Sequence, residues 1–244
     1  MWEIEAFVQL LAALRSILGP NKTISVATPG KEEDLMAFTH NTVPRILESV
    51  NFISVMTYDL MNRRDTMVKH HSGVNDSRAS LQRYIDRGAP PDRLNLGLGY
   101  YAKWFMTQMC DPNNVLSCPT QLLENPSTGA DLGRTAGFSW HDSVPRDLAS
   151  SFRRARSEGR YFADGSYGFW DAEEKRWWSF DTPRSIGTKM DLLVEGMGLG
   201  GVFAWGLGED APAFEHFKKT IEKIAGMGRR RALGETLGWS KDEL

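Results

Sequence analysis

Apolar residues Ile4, Phe7, Val8, Leu11, Leu14, Ile17 and Leu18 recur at the spacing of one helix face, and Gly19-Pro20 stops the run. Thr23 to Thr28 then reads as a short strand with the β-branched, apolar character of one buried on both faces, closed by Pro29-Gly30. A second helical period runs from Glu33 to Ser49 through Leu35, Met36, Phe38, Ile46 and Leu47, with a bend or break expected at Pro44. Phe52 to Tyr58 is the next strand, Ala79 to Asp86 the next helix, and Leu94 to Tyr101 the third strand, after Gly88 and Pro90-Pro91. Strands and helices alternating at this spacing predict parallel strands joined by right-handed crossovers.

A fourth strand of the same kind, Gly200 to Trp205, comes only about a hundred residues later, followed by a helix around Phe214 to Ile224. The intervening stretch is too long for one crossover, and its pattern differs. Tyr161-Phe162, Tyr167 to Asp171 and Arg176 to Phe180 read as short antiparallel strands, with turns at Asp164-Gly165 and Ala172-Glu173-Glu174. The expected organisation is a barrel segment over 1–105, an inserted small α+β subdomain over 106–185, the last barrel strand and helix over 186–226, and an exposed tail over 227–244. Four parallel strands make half of an eight-stranded barrel, so the fold class expected is α/β, half of a (β/α)8 TIM barrel carrying an insertion.

The 244 residues carry 29 basic and 31 acidic side chains, a balance that lacks the basic excess needed to hold nucleic acid. No apolar run reaches the length of a membrane span, and the N-terminus has no signal-peptide pattern. The five histidines are scattered, with His70 and His71 adjacent and therefore directed apart, and no metal site or other cofactor is expected. The two cysteines, Cys110 and Cys118, share a loop rich in Asn, Asp and Pro; they are a disulfide in an oxidising compartment or two thiols in a reducing one. The eight tryptophans are the one unusual compositional feature, since indole rings serve both as core and as platforms for sugar faces.

In α/β barrels the working residues stand at the C-terminal ends of the strands. Three ends stand out: Met56-Thr57-Tyr58-Asp59, Tyr100-Tyr101-Ala102-Lys103-Trp104, and Ala204-Trp205 followed by Glu209 and Asp210. Met56 and Tyr58 share a face by strand alternation. A thioether, a phenol, a carboxylate and an indole at one barrel mouth suit a polar, ring-shaped ligand, although composition alone describes core aromatics equally well.

Met56-Thr57-Tyr58-Asp59 resembles the Met-x-Tyr-Asp signature of glycoside hydrolase family 18, the chitinases. Leu96-Gly97-Leu98 leading to Tyr101 is similar to that family's Leu-Gly-x-x-x-Tyr-Gly-Arg strand, and Gly200 to Trp205 to its final, tryptophan-ended strand. Phe180-Asp181-Thr182-Pro183-Arg184-Ser185-Ile186 resembles its Tyr-Asp-x-Pro-x-Ser-Ile motif, and Met61 to Asp65 the Met-Asn-Arg-Arg-Asp of a fungal branch. The resemblance implies hydrolysis of β-1,4-linked N-acetylglucosamine polymers with retention, the substrate's own acetamide oxygen attacking the anomeric carbon. It implies that Tyr58 hydrogen-bonds that oxygen and that Asp59 binds a hydroxyl of the scissile sugar. It further implies that Met56 packs beside the acetyl methyl, Trp205 forms the floor, Tyr101 lines the cleft and Trp104 stacks the leaving-group sugar. Lys103 stands where the family has arginine, which loses a bidentate fork, and Arg64 stands near a usual tryptophan.

The family's catalytic acid closes an Asp-x-x-Asp-x-Asp-x-Glu run on the strand before the first helix, and no such run occurs here. Glu3 is expected as a first-turn helix residue, favoured by the helix dipole, and not as that acid. Lys241-Asp242-Glu243-Leu244 spells the endoplasmic-reticulum retention signal, which implies a retention receptor as partner and entry into the secretory pathway. Asn21-Lys22-Thr23 and Asn75-Asp76-Ser77 are sequons consistent with that route. Missing strands, acid and leader together are expected to belong to one N-terminal half. Two functions follow from the resemblance: a chitinase-type hydrolase represented by its C-terminal portion and inactive alone, or a chitin-binding, lectin-like protein that has lost catalysis.

Overall fold

The computed structural model describes residues 2–141 and 143–237, with side chains described through Gly228; Lys241 to Leu244 lie outside the described residues. The elements run α1 (Trp2–Leu18), β1 (Ser25–Pro29), α2 (Thr42–Ser49), β2 (Phe52–Met56), α3 (Val74–Asp86) and β3 (Leu94–Gly99). They continue with β4 (Ala102–Met106), β5 (Thr135–Phe138), α4 (Ala149–Glu158), β6 (Arg160–Tyr161), β7 (Tyr167–Asp171) and β8 (Arg176–Ser179). α5 (Pro183–Lys189), β9 (Gly201–Trp205) and α6 (Glu215–Leu237) complete the chain.

β1, β2, β3 and β9 form one parallel sheet in that order, a partial (β/α) barrel with helices against its outer face. The strands are short, β1 ending on Pro29 and β3 on Gly99. Their apolar residues Ile53, Val55, Leu94, Leu96 and Leu98 meet Val43, Ile46, Leu81, Tyr84 and Ile186 from the helices in one core. A side chain at Gly97 would place its first carbon 2.6 Å from the Val55 carbonyl oxygen and 3.0 Å from the Phe203 ring, so β2, β3 and β9 pack this closely only with glycine there.

Three expectations about elements are corrected. The Glu33–Ser49 period is broken earlier than Pro44: only a single turn forms at Glu32–Asp34, and the helix starts at Thr42. Pro44 therefore sits in the first helical turn, where its missing N–H has no partner to lose. The antiparallel sheet begins at Ala102, not after 106, because the chain turns at Tyr100-Tyr101 and Ala102–Met106 pairs with β5 and β8. α6 continues past residue 226 to Leu237.

The insertion is a five-stranded sheet in the order β5-β4-β8-β7-β6. Trp104, Trp178, Phe152, Phe180 and Tyr167 form its core against α4, and Phe105, Trp177, Met61 and Val68 form a second cluster beneath the loop that Cys110 and Cys118 close with a disulfide. α5 fastens the insertion to the barrel. Thr182 and Ser185 cap its first turn reciprocally, and Lys189, fully buried, donates to Asp181 at 2.6 Å. Burial alone would raise the Asp181 carboxyl; the Lys189 ammonium overrides it and holds the group below its usual range.

On the flanks of the sheet, Leu14, Ile17 and Leu18 of α1 remain exposed despite their helical period, as do Phe217, Ile221 and Ile224 of α6. β1 and β9 each have one strand neighbour among the described residues. No described helix is long and apolar enough to cross a membrane.

Candidate active site

A cleft of about 450 Å³ opens where β2, β3 and β9 end, bounded on its far side by β5. It is lined by Met56, Tyr58, Asp59, Tyr101, Lys103, Phe138, Ser139, Trp205 and Glu209. Strand alternation sets the β2 side: Met56 and Tyr58 face the cleft, while Thr57 turns into the sheet, where its hydroxyl donates to the Gly97 carbonyl at 2.6 Å. Asp59 leaves the strand in left-handed backbone, φ +55°, which swings its carboxylate across the mouth.

Two donors meet that carboxylate. The Tyr101 hydroxyl lies 2.7 Å and the Lys103 ammonium 2.9 Å from the same oxygen, Oδ1. Tyr58 packs edge-on against Tyr101 and tilted against Phe203. Its side chain is 7 % exposed, and its hydroxyl has no hydrogen-bond partner among the described residues. Burial, and then the Asp59 charge, push the Tyr58 phenol up to about 12, so it stays a donor across the physiological range. Burial and the adjacent Asp59 raise Tyr101 as well. A buried hydroxyl with its proton and no acceptor costs free energy unless a ligand supplies one.

Trp205 ends β9 with its side chain 60 % exposed over the cleft. The chain turns sharply after it through Gly206, φ +81°. Asp210, named with Glu209 as a strand-end carboxylate, is buried behind the site, where it accepts from the backbone N–H of His216 and Phe217 and contacts His216 Nδ1 at 2.7 Å.

Trp104 is a correction. It does not line the cleft but lies 8 % exposed in the core of the insertion, with the Arg176 guanidinium 4.7 Å from its ring. On a strand that starts at Ala102, alternation turns Lys103 towards Asp59 and Trp104 to the opposite face. The contact with Asp59 thus comes from Lys103, and the wall from Phe138 and Ser139, which carry no motif. Beyond Lys103 the cleft continues into a polar space lined by Asn62, Arg63 and Arg64. Asp65 closes that loop, accepting from the Asn62 N–H at 2.7 Å and from Lys31 and Lys69 at 2.9 and 2.8 Å. Arg64 pairs with Asp34 at 3.3 Å. Glu3 lies in the first turn of α1.

The family model described as Glycosyl hydrolases family 18 matches residues 2–210, most of the chain. The chain belongs to glycoside hydrolase family 18. Chitinase C of Streptomyces lividans is 26 % identical over 82 % of this chain and 31 % of its own length. Chitinase 1 of Aphanocladium album is 24 % identical over 83 % of this chain and 48 % of its own. The chain therefore spans about a third to a half of these family 18 relatives. A crystal structure of a chitinase from Rhizomucor miehei superposes with a TM-score of 0.70 at 19 % identity, covering 89 % of this chain and 66 % of that one. The partial barrel with its antiparallel insertion is thus the family 18 fold over the portion present, with the cleft at the C-terminal ends of its strands.

Proposed function

We propose that this chain supplies the acetamide-orienting and sugar-binding part of a chitinase cleft for β-1,4-linked N-acetylglucosamine. The observation that carries the reading is the Tyr58 hydroxyl: buried, protonated, without a partner among the described residues, and lining a cleft that Trp205 floors. An N-acetyl carbonyl oxygen is the acceptor that fits it. In the retaining, substrate-assisted reaction this oxygen attacks the anomeric carbon and the nitrogen takes on positive charge. Tyr58 holds the acetamide in attack geometry. Tyr101 and Lys103 both bind Oδ1 of Asp59, which leaves Oδ2 to accept from a hydroxyl of the same sugar. Met56 packs against the acetyl methyl, and Trp205 stacks on the sugar's C–H face.

Proton donation to the leaving oxygen falls to a glutamate that the sequence does not contain in its family setting. General-acid help is worth about 100- to 10,000-fold, so this chain by itself binds without appreciable turnover.

Titration calorimetry with tetra-N-acetylchitotetraose is expected to show binding that Tyr58→Phe weakens by about 0.5–1.5 kcal/mol. A fluorogenic chitobioside is expected to remain uncleaved. Equal affinity of wild type and Tyr58→Phe refutes the acetamide assignment, and cleavage that Tyr58→Phe abolishes refutes the inactivity of the isolated chain.

The protein is further proposed to reside in the endoplasmic-reticulum lumen through Lys241 to Leu244, a reading that the Cys110–Cys118 disulfide supports, since such bridges persist in oxidising compartments.

A further inference from the structure

Asp59 adopts a backbone conformation that L-residues rarely hold, φ +55°, and the carboxylate's place over the cleft depends on it. What surrounds that backbone is one fully buried side chain. The Asp59 N–H donates to Nδ1 of His71, a long contact at 3.4 Å, and the next amide, Leu60 N–H, donates to the His71 carbonyl at 2.8 Å. The His71 ring lies tilted against Tyr101, centroids 5.3 Å apart. The other ring nitrogen, Nε2, is 3.3 Å from the Ser72 hydroxyl. His71 is itself fixed from the insertion, where Ser179 Oγ of β8 accepts its backbone N–H at 3.0 Å. His70 takes no part in this; its ring turns the other way, between Phe162 and Trp177.

We infer that His71 is a positioning residue for the sugar-binding carboxylate, holding Asp59 in its left-handed conformation through Nδ1 and tying that conformation to the insertion through Ser179. The inference rests on the reading that Asp59 binds sugar. A backbone N–H can only donate, so Nδ1 must accept and the ring proton must sit on Nε2, donating to Ser72. Protonation would put a proton on Nδ1 facing the Asp59 N–H and break the contact. Charged groups around the ring oppose or favour that step unequally: Lys103 on β4, Lys189 on α5 and His70 disfavour it, while Asp181 and Asp59 favour it. Burial first, and then Lys103, hold the imidazole well below its ordinary value, so the neutral ring is the working form.

The test has two arms. In the first, long-range ¹⁵N correlation spectra of the ligand-free 244-residue chain read the His71 tautomer directly. An Nε2-protonated ring is expected, and an Nδ1-protonated or doubly protonated ring at pH 7 overturns the inference whether or not the chain binds sugar. In the second, calorimetry with tetra-N-acetylchitotetraose compares wild type with His71→Leu and His71→Asn. Loss of the acceptor in His71→Leu is expected to weaken binding about tenfold. Asn, whose side-chain oxygen can stand near the Nδ1 position, is expected to recover most of it. Leu and Asn variants that bind alike, both as wild type or both weakened equally, refute the role, because filling the core without an acceptor would then suffice. If His71→Leu fails to fold, the Asn variant and the tautomer decide. If wild type binds no oligosaccharide, the reading of the cleft fails, while the tautomer still tests what His71 holds.

Discussion

The facing of its strand gives each of two tryptophans, Trp104 on β4 and Trp205 on β9, a different task. Trp205 stands 60 % exposed over the cleft, whereas Trp104 is packed beneath Arg176. The two are therefore expected to fail differently. Trp205→Ala should leave the melting temperature close to wild type and weaken chito-oligosaccharide binding about tenfold. Trp104→Ala should cost about 3–5 kcal/mol of stability in a urea titration. A Trp104→Ala protein of unchanged stability and lost affinity would return that ring to the cleft. That Met56, Tyr58, Asp59 and Trp205 meet at one cleft could be read because they end strands that the apolar pattern marks; the roles assigned to them came from the family resemblance. The burial of Trp104 could not be read because nothing between Tyr101 and Ala102 announces a new strand. His71 was illegible for a different reason: its partner is a backbone amide whose orientation depends on a positive φ at Asp59, and no pattern of residue types encodes that.

At the scale of elements, the junction between loop and insertion carries a pH dependence. His70 is buried between Phe162 and Trp177, and burial outweighs the nearby Asp164 and Asp181 charges to lower its imidazole to about 4. Its unfolded value is near 6.5, so the unfolded chain takes up the proton first as pH falls. The stability that neutral His70 contributes is complete above about pH 6.5 and is lost between there and pH 4, about 3 kcal/mol in all. Thermal melts from pH 7.5 to 4 should show this fall, and His70→Phe should lessen it, the remainder coming from His71, which burial likewise keeps neutral. A His70→Phe protein with the wild-type slope would assign the acid sensitivity elsewhere. The helices taught the same lesson as the strands. Pro44 signalled a break but not its place, because proline is tolerated in a first turn; the reciprocal Thr39–Thr42 hydrogen bonds and the packing of Val43, Ile46 and Leu47 fix the start.

For the whole molecule, the parallel barrel strands could be read because each is short and largely apolar, and β1, β3 and β9 are bounded by proline or glycine. In the insertion, with its sheet order β5-β4-β8-β7-β6, strands β6, β7 and β8 could be traced with their turns, whereas β4 and β5 could not, since β4 pairs with β5 and β8, which lie far from it in the chain. That order has a consequence in time. β9 joins β3 with Gly99 opposite Trp205, yet every residue of the insertion is made between them. At about 5–20 residues per second a ribosome needs on the order of 5–20 s to cover that distance. Throughout that interval Leu96 and Leu98 lie on a strand whose second neighbour has not been synthesised. The nascent chain thus passes through a window of stickiness set by its topology, and a chaperone that recognises bare apolar strand edges has those seconds in which to act.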